Sequence, residues 1–529
     1  MASGAGMIKR WDEAAGLTGT DRRRVVSALL ALPAMGSALL GPQARAEPGR
    51  TGSWRRAETS RFVIHGMVGE DQLRDYATKL EDFDMVLRFI HGLPIDAAPP
   101  RKLDFYLVNG MPALRRARPG VDDTVRGYYM ANAADIACVA VVARPREVRG
   151  LENDDVMMHE YVHHFMKQYF NYAYAGWLVE GYAEYFMTTE FDGDTVIVGK
   201  FNANRASWLR GDWIPLEKLL TESPSLNDPK GATYYPQAWL LTHYMMSDPA
   251  RYAQLQAYIE AVGAGQASVK AMEAATGKSL SALQKALRDY THVGLPAQTF
   301  TRKRDKPVEV TITPMPASAD DLLLETVRMI SPAGDMASRK AFVEDIGKRA
   351  ARHPGDPLAE RALARARLQA EDFAGAQGVI DQRLVAQADD VEALELKALI
   401  LMAMGDADPD PDKQMALYKE ASGVLGRAFK IDGARYQILL AYARSRSLSP
   451  GYPSDNVMEG LLLANELAPQ VGEVTLRTVE ALAMRGDYRR AVVLLRPLAN
   501  DPHGNGGSVR DMLAKLEVEA ARQPLPAKS

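Results

Sequence analysis

Apolar positions recur along the chain at two different periods, and the change from one to the other divides it. From Glu58 onward short alternating runs interleave with a helical pattern. SRFVIHG (60–66) is a short β-rich run, KLDFYLVN (102–109) alternates like a strand, and GYYM (127–130) with IACVAVVA (136–143) reads as a strand pair joined by Ala131 to Asp135. Between the first two, Glu70 to Ile90 carries Leu73, Tyr76, Leu80, Phe83, Val86 and Ile90 at three-to-four spacing, which predicts an amphipathic helix. From Trp177 to about Tyr290 the pattern is mainly helical. Residues 296–321 then mix prolines, charges and β-branched side chains without helical periodicity, as a linker or boundary would.

Beyond that boundary the texture changes. Residues 340–503 show weak self-similarity at a period somewhat above thirty. Glu371-Asp372-Phe373-Ala374-Gly375-Ala376 and Gly486-Asp487-Tyr488-Arg489-Arg490-Ala491 write the same turn twice, each between an Ala/Leu-rich helix and a second helix. Ala393 to Gly405 with Ala416 to Phe429, and Tyr436 to Arg446 with Met458 to Leu467, supply two more helix pairs. This stretch resembles the tetratricopeptide family, whose helix-turn-helix units stack because no single pair buries its own apolar face. Insertions at 406–415 and 448–456 interrupt the regular spacing of about 34 residues. An irregular helical-hairpin domain is the alternative.

At 529 residues the chain is too long for one hydrophobic core. With 64 Lys+Arg against 67 Asp+Glu its formal charge is only -3, so no basic field would attract phosphate backbones, and nucleic acid is not an expected partner. Arg22-Arg23-Arg24, the apolar run Val25 to Leu40 and Ala44-Arg45-Ala46 follow the order of a cleaved export signal, with a possible twin-arginine pair, which implies a periplasmic or secreted protein. Cys138 is the only cysteine, so no intrachain disulfide can form. No later stretch approaches eighteen uninterrupted apolar residues, so no stable membrane span is expected after cleavage.

The chemistry concentrates at MMHEYVHHFMKQ (157–168). His159-Glu160-Tyr161-Val162-His163 is H-E-x-x-H, and on a helix the two histidines fall one turn apart on one face, where both imidazoles can reach a single ion. Asn153, Asp154 and Asp155 offer helix caps just upstream, and Val156, Met157, Val162, Phe165 and Met166 would bury the helix. His164 points about 100° away from His163 and reads as a supporting or surface residue. A catalytic zinc site usually takes a third protein ligand. Downstream, Trp177 to Phe186 is an apolar helix interrupted by Glu180 and Glu184, carboxylates that need a cation or donors if buried. Glu180 can be the third ligand. Glu184, one turn on, can hold a ligand histidine by its other ring nitrogen.

H-E-x-x-H followed by W-L-x-E-G-x-A-E resembles the gluzincin metallopeptidases of the thermolysin-like clan, most densely over 127–190 and extending over about 58–295. The resemblance implies that His159, His163 and Glu180 bind Zn2+ and that Glu160 is the general base. No G-x-M-E-N segment of the aminopeptidase branch stands upstream, which leaves endo- or exopeptidase action open. Zinc would acidify a water and polarise a carbonyl, with Glu160 moving the proton. Tyr234, Tyr235 and His243 lie near a helix start at 233–245; Tyr235 is the candidate donor to the oxyanion, with a core aromatic as the alternative. IACVAVVA resembles the clan's edge strand, to which a peptide could add.

The expected fold class is therefore an α+β zincin-like domain followed by an all-α helical-repeat domain. The expected division is a signal peptide (1–46), a zinc metallopeptidase-like domain (47–300), a linker (301–334), tetratricopeptide-like repeats (335–510) and a C-terminal tail (511–529). The expected activity is hydrolysis of peptide bonds in a peptide or protein substrate, with the repeats recruiting that substrate or a protein partner. A protein-interaction scaffold with an idle peptidase-like domain and a zinc amidase acting on other amides are the alternatives.

Overall fold

The computed structural model describes residues 53–123, 125–142, 155–170, 172–200, 207–222, 231–302, 306–332, 334–499 and 507–523. The expected export signal lies outside them, as do Asn153 and Asp154. Six strands make one mixed sheet: β1 (Arg55–Glu58), β2 (Phe62–Gly66), β3 (Leu103–Asn109), β4 (Gly127–Ala131), β5 (Ile136–Val142) and, far along the chain, β9 (Thr311–Pro314). Their order is β4-β5-β3-β2-β1-β9. β3 runs parallel to both β2 and β5, and the outer pairings are antiparallel. A parallel crossover needs a helix, and α1 (Glu70–Ile90), the long amphipathic pattern, supplies it between β2 and β3.

Period-two alternation decides what each face of the sheet meets. Phe105, Leu107, Cys138 and Ala140 join the core under α1 and α3 (Asp155–Tyr169). Tyr106, Val108, Ala137 and Val139 point the other way, to a smaller core under α2 (Gly110–Ala117) and α10 (Ser318–Arg328). Because both faces are covered, IACVAVV reads as a continuous apolar run.

α4 (Gly176–Phe186) follows the motif helix, and β6 (Glu190–Asp192), β7 (Thr195–Val198) and β8 (Gln298–Thr301) form a second, small sheet. A helical layer intervenes between β7 and β8: α5 (Leu216–Thr221), α6 (Gly231–Met246), α7 (Pro249–Gly263), α8 (Ser268–Thr276) and α9 (Leu280–Tyr290).

The stretch 301–334, expected to be a linker, is built into the first half. β9 closes the sheet beside β1, and α10 covers its second face with Ala319, Leu323, Leu324 and Val327. Strands of four residues contacting a partner some 250 positions away leave no local signature, which is why 296–321 read as a boundary.

From residue 336 the chain is an array of helices in which each packs on the next: α11 (Met336–Ala350), α12 (Pro357–Gln369), α13 (Phe373–Ala386), α14 (Val391–Ala407), α15 (Pro411–Ile431), α16 (Tyr436–Ser445), α17 (Asp455–Leu467), α18 (Gly472–Met484), α19 (Tyr488–Ala499) and α20 (Gly507–Arg522). The last covers most of the expected tail, burying Leu513 and Leu516. The twice-written turn is the same object in both places. Glu371 and Gly486 adopt positive φ (62° and 74°), and the N–H of Asp372 and of Asp487 each returns to a carbonyl five residues back at 2.9 Å. This left-handed helix end suits glycine, and Glu371 accepts it without that freedom. No helix among the described residues is long and apolar enough to cross a membrane.

Asp390 shows how the array is pinned. Its carboxylate caps α14 at the Ala393 N–H (3.0 Å) and accepts from Arg361 and Arg383, each at 2.8 Å. Burial alone would raise its pKa, but the Arg361 charge, the Arg383 hydrogen bond and the cap hold it below the usual carboxylate range. A lowered pKa stabilises the fold above the unfolded value of about 3.9, and the effect is lost as pH falls through the folded value. Asp390→Ala is expected to cost about 3 kcal/mol at pH 7 and clearly less at pH 3, read from urea unfolding at both. An equal cost at the two pH values would contradict the ion-pair account.

Candidate metal centre

α3 begins at Asp155 and lies against the sheet through Met157, Met158, Tyr161, Val162, Phe165 and Met166. That burial fixes the rotation of the helix and turns His159 and His163 toward α4, their rings edge-to-face with centroids 4.7 Å apart. Tyr161, between them in sequence, points into the core. Its hydroxyl donates to Asp84 of α1, a fully buried carboxylate that also accepts from Arg88 Nε at 2.6 Å and forms an ion pair with Arg61, whose Nε lies 2.8 Å away. Arg88 in turn donates to Tyr169 at the far end of α3. The motif helix is thus tied to α1 two turns apart.

α4 brings the carboxylates. Glu180 Oε2 lies 3.3 Å from His159 Nε2 and 3.8 Å from His163 Nε2. The ligand atoms of His159, His163 and Glu180 all fall within 4.8 Å of one another, a spacing in which one ion can touch all three. Glu184, only 1% exposed, places Oε1 3.7 Å from His159 Nδ1, on the side of that ring away from the cluster. One imidazole therefore faces a carboxylate through each nitrogen.

The charges say what the cluster lacks. Burial would depress the His159 pKa, but the Glu180 hydrogen bond and the charges of Glu160, Glu180 and Glu184 push it up to about 9. His163 goes the opposite way: burial, with His159 and Lys167 adding to it, takes it down to about 3 despite Glu180. His163 is thus a neutral imidazole, as a metal ligand must be, and its buried Nδ1 has no hydrogen-bond partner among the described residues. Two imidazoles and a carboxylate converging where a positive charge is needed fit a zinc-type ion.

Glu160 stands apart from the ligand set, 6% exposed. Burial raises its carboxyl to about 7, against the pull of the His159 charge and of a hydrogen bond from the Tyr129 backbone. It lies against the first residue of β4: a Cβ on Gly127 would meet Glu160 Cγ at 3.0 Å. Among the described residues β4 is one of the two edge strands of the sheet, β9 being the other. IACVAVVA, which resembled an edge strand, is interior, since β5 pairs with β4 on one side and β3 on the other.

Tyr235 sits near the start of α6, half-buried, its ring edge-on to Tyr234 with centroids 6.0 Å apart. The Tyr234 phenol pKa is raised by burial and then by the Glu180 charge, and its hydroxyl donates to the Glu222 carbonyl at 3.1 Å. His243 is elsewhere, a core histidine held by Tyr290 and by the Gly199 carbonyl. His164 packs between Tyr129 and Tyr161, with ring centroids at 5.6 and 6.0 Å.

Sequence reasoning passed over Gly181, although it stands between the two glutamates. α4 and α6 touch there so closely that a Cβ would come within 2.4 Å of both the Ala238 carbonyl oxygen and Thr242 Oγ1. The glycine in W-L-V-E-G-Y-A-E was the available signal.

No protein-family model matches the chain, and no curated protein matches it. Among solved structures, one of a thermophilic tetratricopeptide (TPR) protein from Thermus thermophilus is similar at 16% identity with a TM-score of 0.32, covering 38% of this chain and all of that one. The likeness is too loose to carry function.

Gly181→Ala is expected to force α4 from α6, costing about 3 kcal/mol and weakening metal binding at least tenfold as Glu180 is displaced. Thermal unfolding and chelator competition check this. A variant that melts and binds metal like wild type would show that the close approach does not set the site.

Proposed function

We propose that the chain is a zinc-dependent hydrolase of the peptidase type, with His159, His163 and Glu180 holding the ion and Glu160 handling the proton, joined to a helical array that engages protein partners. The observation that carries this reading is the convergence of the three ligand atoms within 4.8 Å, beside a buried carboxylate that is not one of them. Bound there, zinc supplies a Lewis acid and an acidified water.

The remaining work belongs to the chain. Glu160, with a pKa near 7, can take a proton from an attacking water and return it to a leaving nitrogen. The Tyr129 N–H fixes that carboxyl against β4, an edge strand to whose remaining backbone groups an extended peptide can add beside the base. Glu184 orients His159 through its second nitrogen. Tyr235 is kept as the candidate donor to the developing oxyanion.

The size of the helical array, ten helices among the described residues, favours a second reading, in which the chain is an interaction scaffold and the peptidase-like half is idle. The two differ at Glu160. On the enzyme reading, purified protein carries about one zinc per chain; His163→Ala and Glu180→Ala lose it, Glu184→Ala weakens it ten- to a hundredfold, and Glu160→Gln keeps it. Glu160→Gln should also lower cleavage of a peptide library about a thousandfold. Zinc retained with no cleavage by wild type would favour the scaffold, and equal metal loss in all four variants would overturn the assigned roles.

A further inference from the structure

The helical array does not hang free of the candidate centre. The first turn of α16 sits on the turn that joins β4 to β5. Tyr436, fully buried, donates its hydroxyl to the Asn132 carbonyl at 2.7 Å. Gln437 Nε2 donates to the Ala134 carbonyl at 3.3 Å and to Asp135 Oδ1 at 3.4 Å. Arg101 pairs with the same Asp135 and lays its guanidinium 5.7 Å from the centre of the Tyr436 ring. A second attachment reaches α3 itself: Gln470, between α17 and α18, donates to Gln168 Oε1 at 2.8 Å. Around it Leu467 and Gln470 face Ile136, His164 and Gln168 across one seam.

Both attachments fall on elements that carry the site. The hairpin turn belongs to the edge strand whose Tyr129 N–H holds Glu160. Gln168 lies one turn beyond His164, which directly follows the ligand His163. Turn residues held only by their own loop would open readily, whereas partly buried hydrogen bonds from a helix anchored in the core resist that opening.

We propose that Tyr436, Gln437 and Gln470 are positioning residues of the centre: the array fastens the β4–β5 hairpin and the end of α3, so the site takes its geometry from both halves of the chain. The fastening stands on the contacts alone, while its bearing on metal affinity rests on the zinc reading. The array is then part of the catalytic fold as well as a surface for partners, and truncation near residue 300 removes β9, α10 and this clamp together.

The test uses the full chain, with Tyr436→Phe combined with Gln437→Ala and Gln470→Ala. Arg477→Ala, which breaks an exposed ion pair with Glu480 on the same array, is the control. Hydrogen exchange reads residues 127–142 and 155–169, and chelator competition reads zinc affinity. The triple variant should exchange hairpin amides about tenfold faster and bind zinc about tenfold more weakly, as loss of outlying support does, with exchange in 391–431 unchanged as proof of folding. Wild-type hairpin protection in the triple variant overturns the fastening. A loosened hairpin with undisturbed zinc affinity overturns the positioning role. Wild-type protein that takes up no zinc defeats the zinc reading and the positioning role with it, and hairpin exchange still decides the fastening.

Discussion

Three carboxyl groups, Glu160, Glu180 and Glu184, are buried or nearly so around two imidazoles, and that placement is the constraint from which the rest follows. Charge removed from water must be matched nearby, by a proton or by a cation. Against the pull of burial, the carboxylates push the His159 pKa up to about 9, while burial drives His163, four residues on, down to about 3. A divalent ion bound among them would supply that charge, and both imidazoles would then have to be neutral. The opposed shifts of two chemically identical side chains, one turn apart, come from which of them faces the carboxylates more directly.

Holding such a cluster requires rigid walls, and the fold supplies them on every side. The sheet, α1 and the buried Asp84–Arg88 pair lock α3 from behind. Gly181 lets α4 settle against α6 at backbone contact, which brings Glu180 and Glu184 to the right height. β9 and α10, which arrive from the far side of the helical layer, complete the sheet that α3 lies on. The array closes the remaining side through Tyr436 and Gln470.

What the sequence disclosed and what it hid divides by the range of the interactions. The H-E-x-x-H spacing, the α1 stripe and the alternation of KLDFYLVN are local patterns, and the elements they predict are present. Glu180 and Glu184 were legible because carboxylates one turn apart in an apolar helix demand a partner. The role of 301–334 was not, since β9 is four residues long and its meaning lies in β1. The interior place of β5 could not be read from its apolar run, which suits an edge or a centre equally until the strand order is known. His243, named with Tyr234 and Tyr235 in the stretch that could supply a donor, is instead held in the core by Tyr290 and the Gly199 carbonyl. The expected tail from 511 concealed the end of a helix because few apolar residues, Leu513 and Leu516 the most buried, mark its packed face.

Whether His159, His163 and Glu180 hold one zinc ion is read from X-ray absorption at the zinc edge of the purified full-length protein. The expected result is one zinc per chain in a nitrogen and oxygen shell at about 2.0–2.2 Å, with the outer-shell scattering of two imidazoles. A protein without zinc, or a shell containing sulfur or a single imidazole, would contradict it.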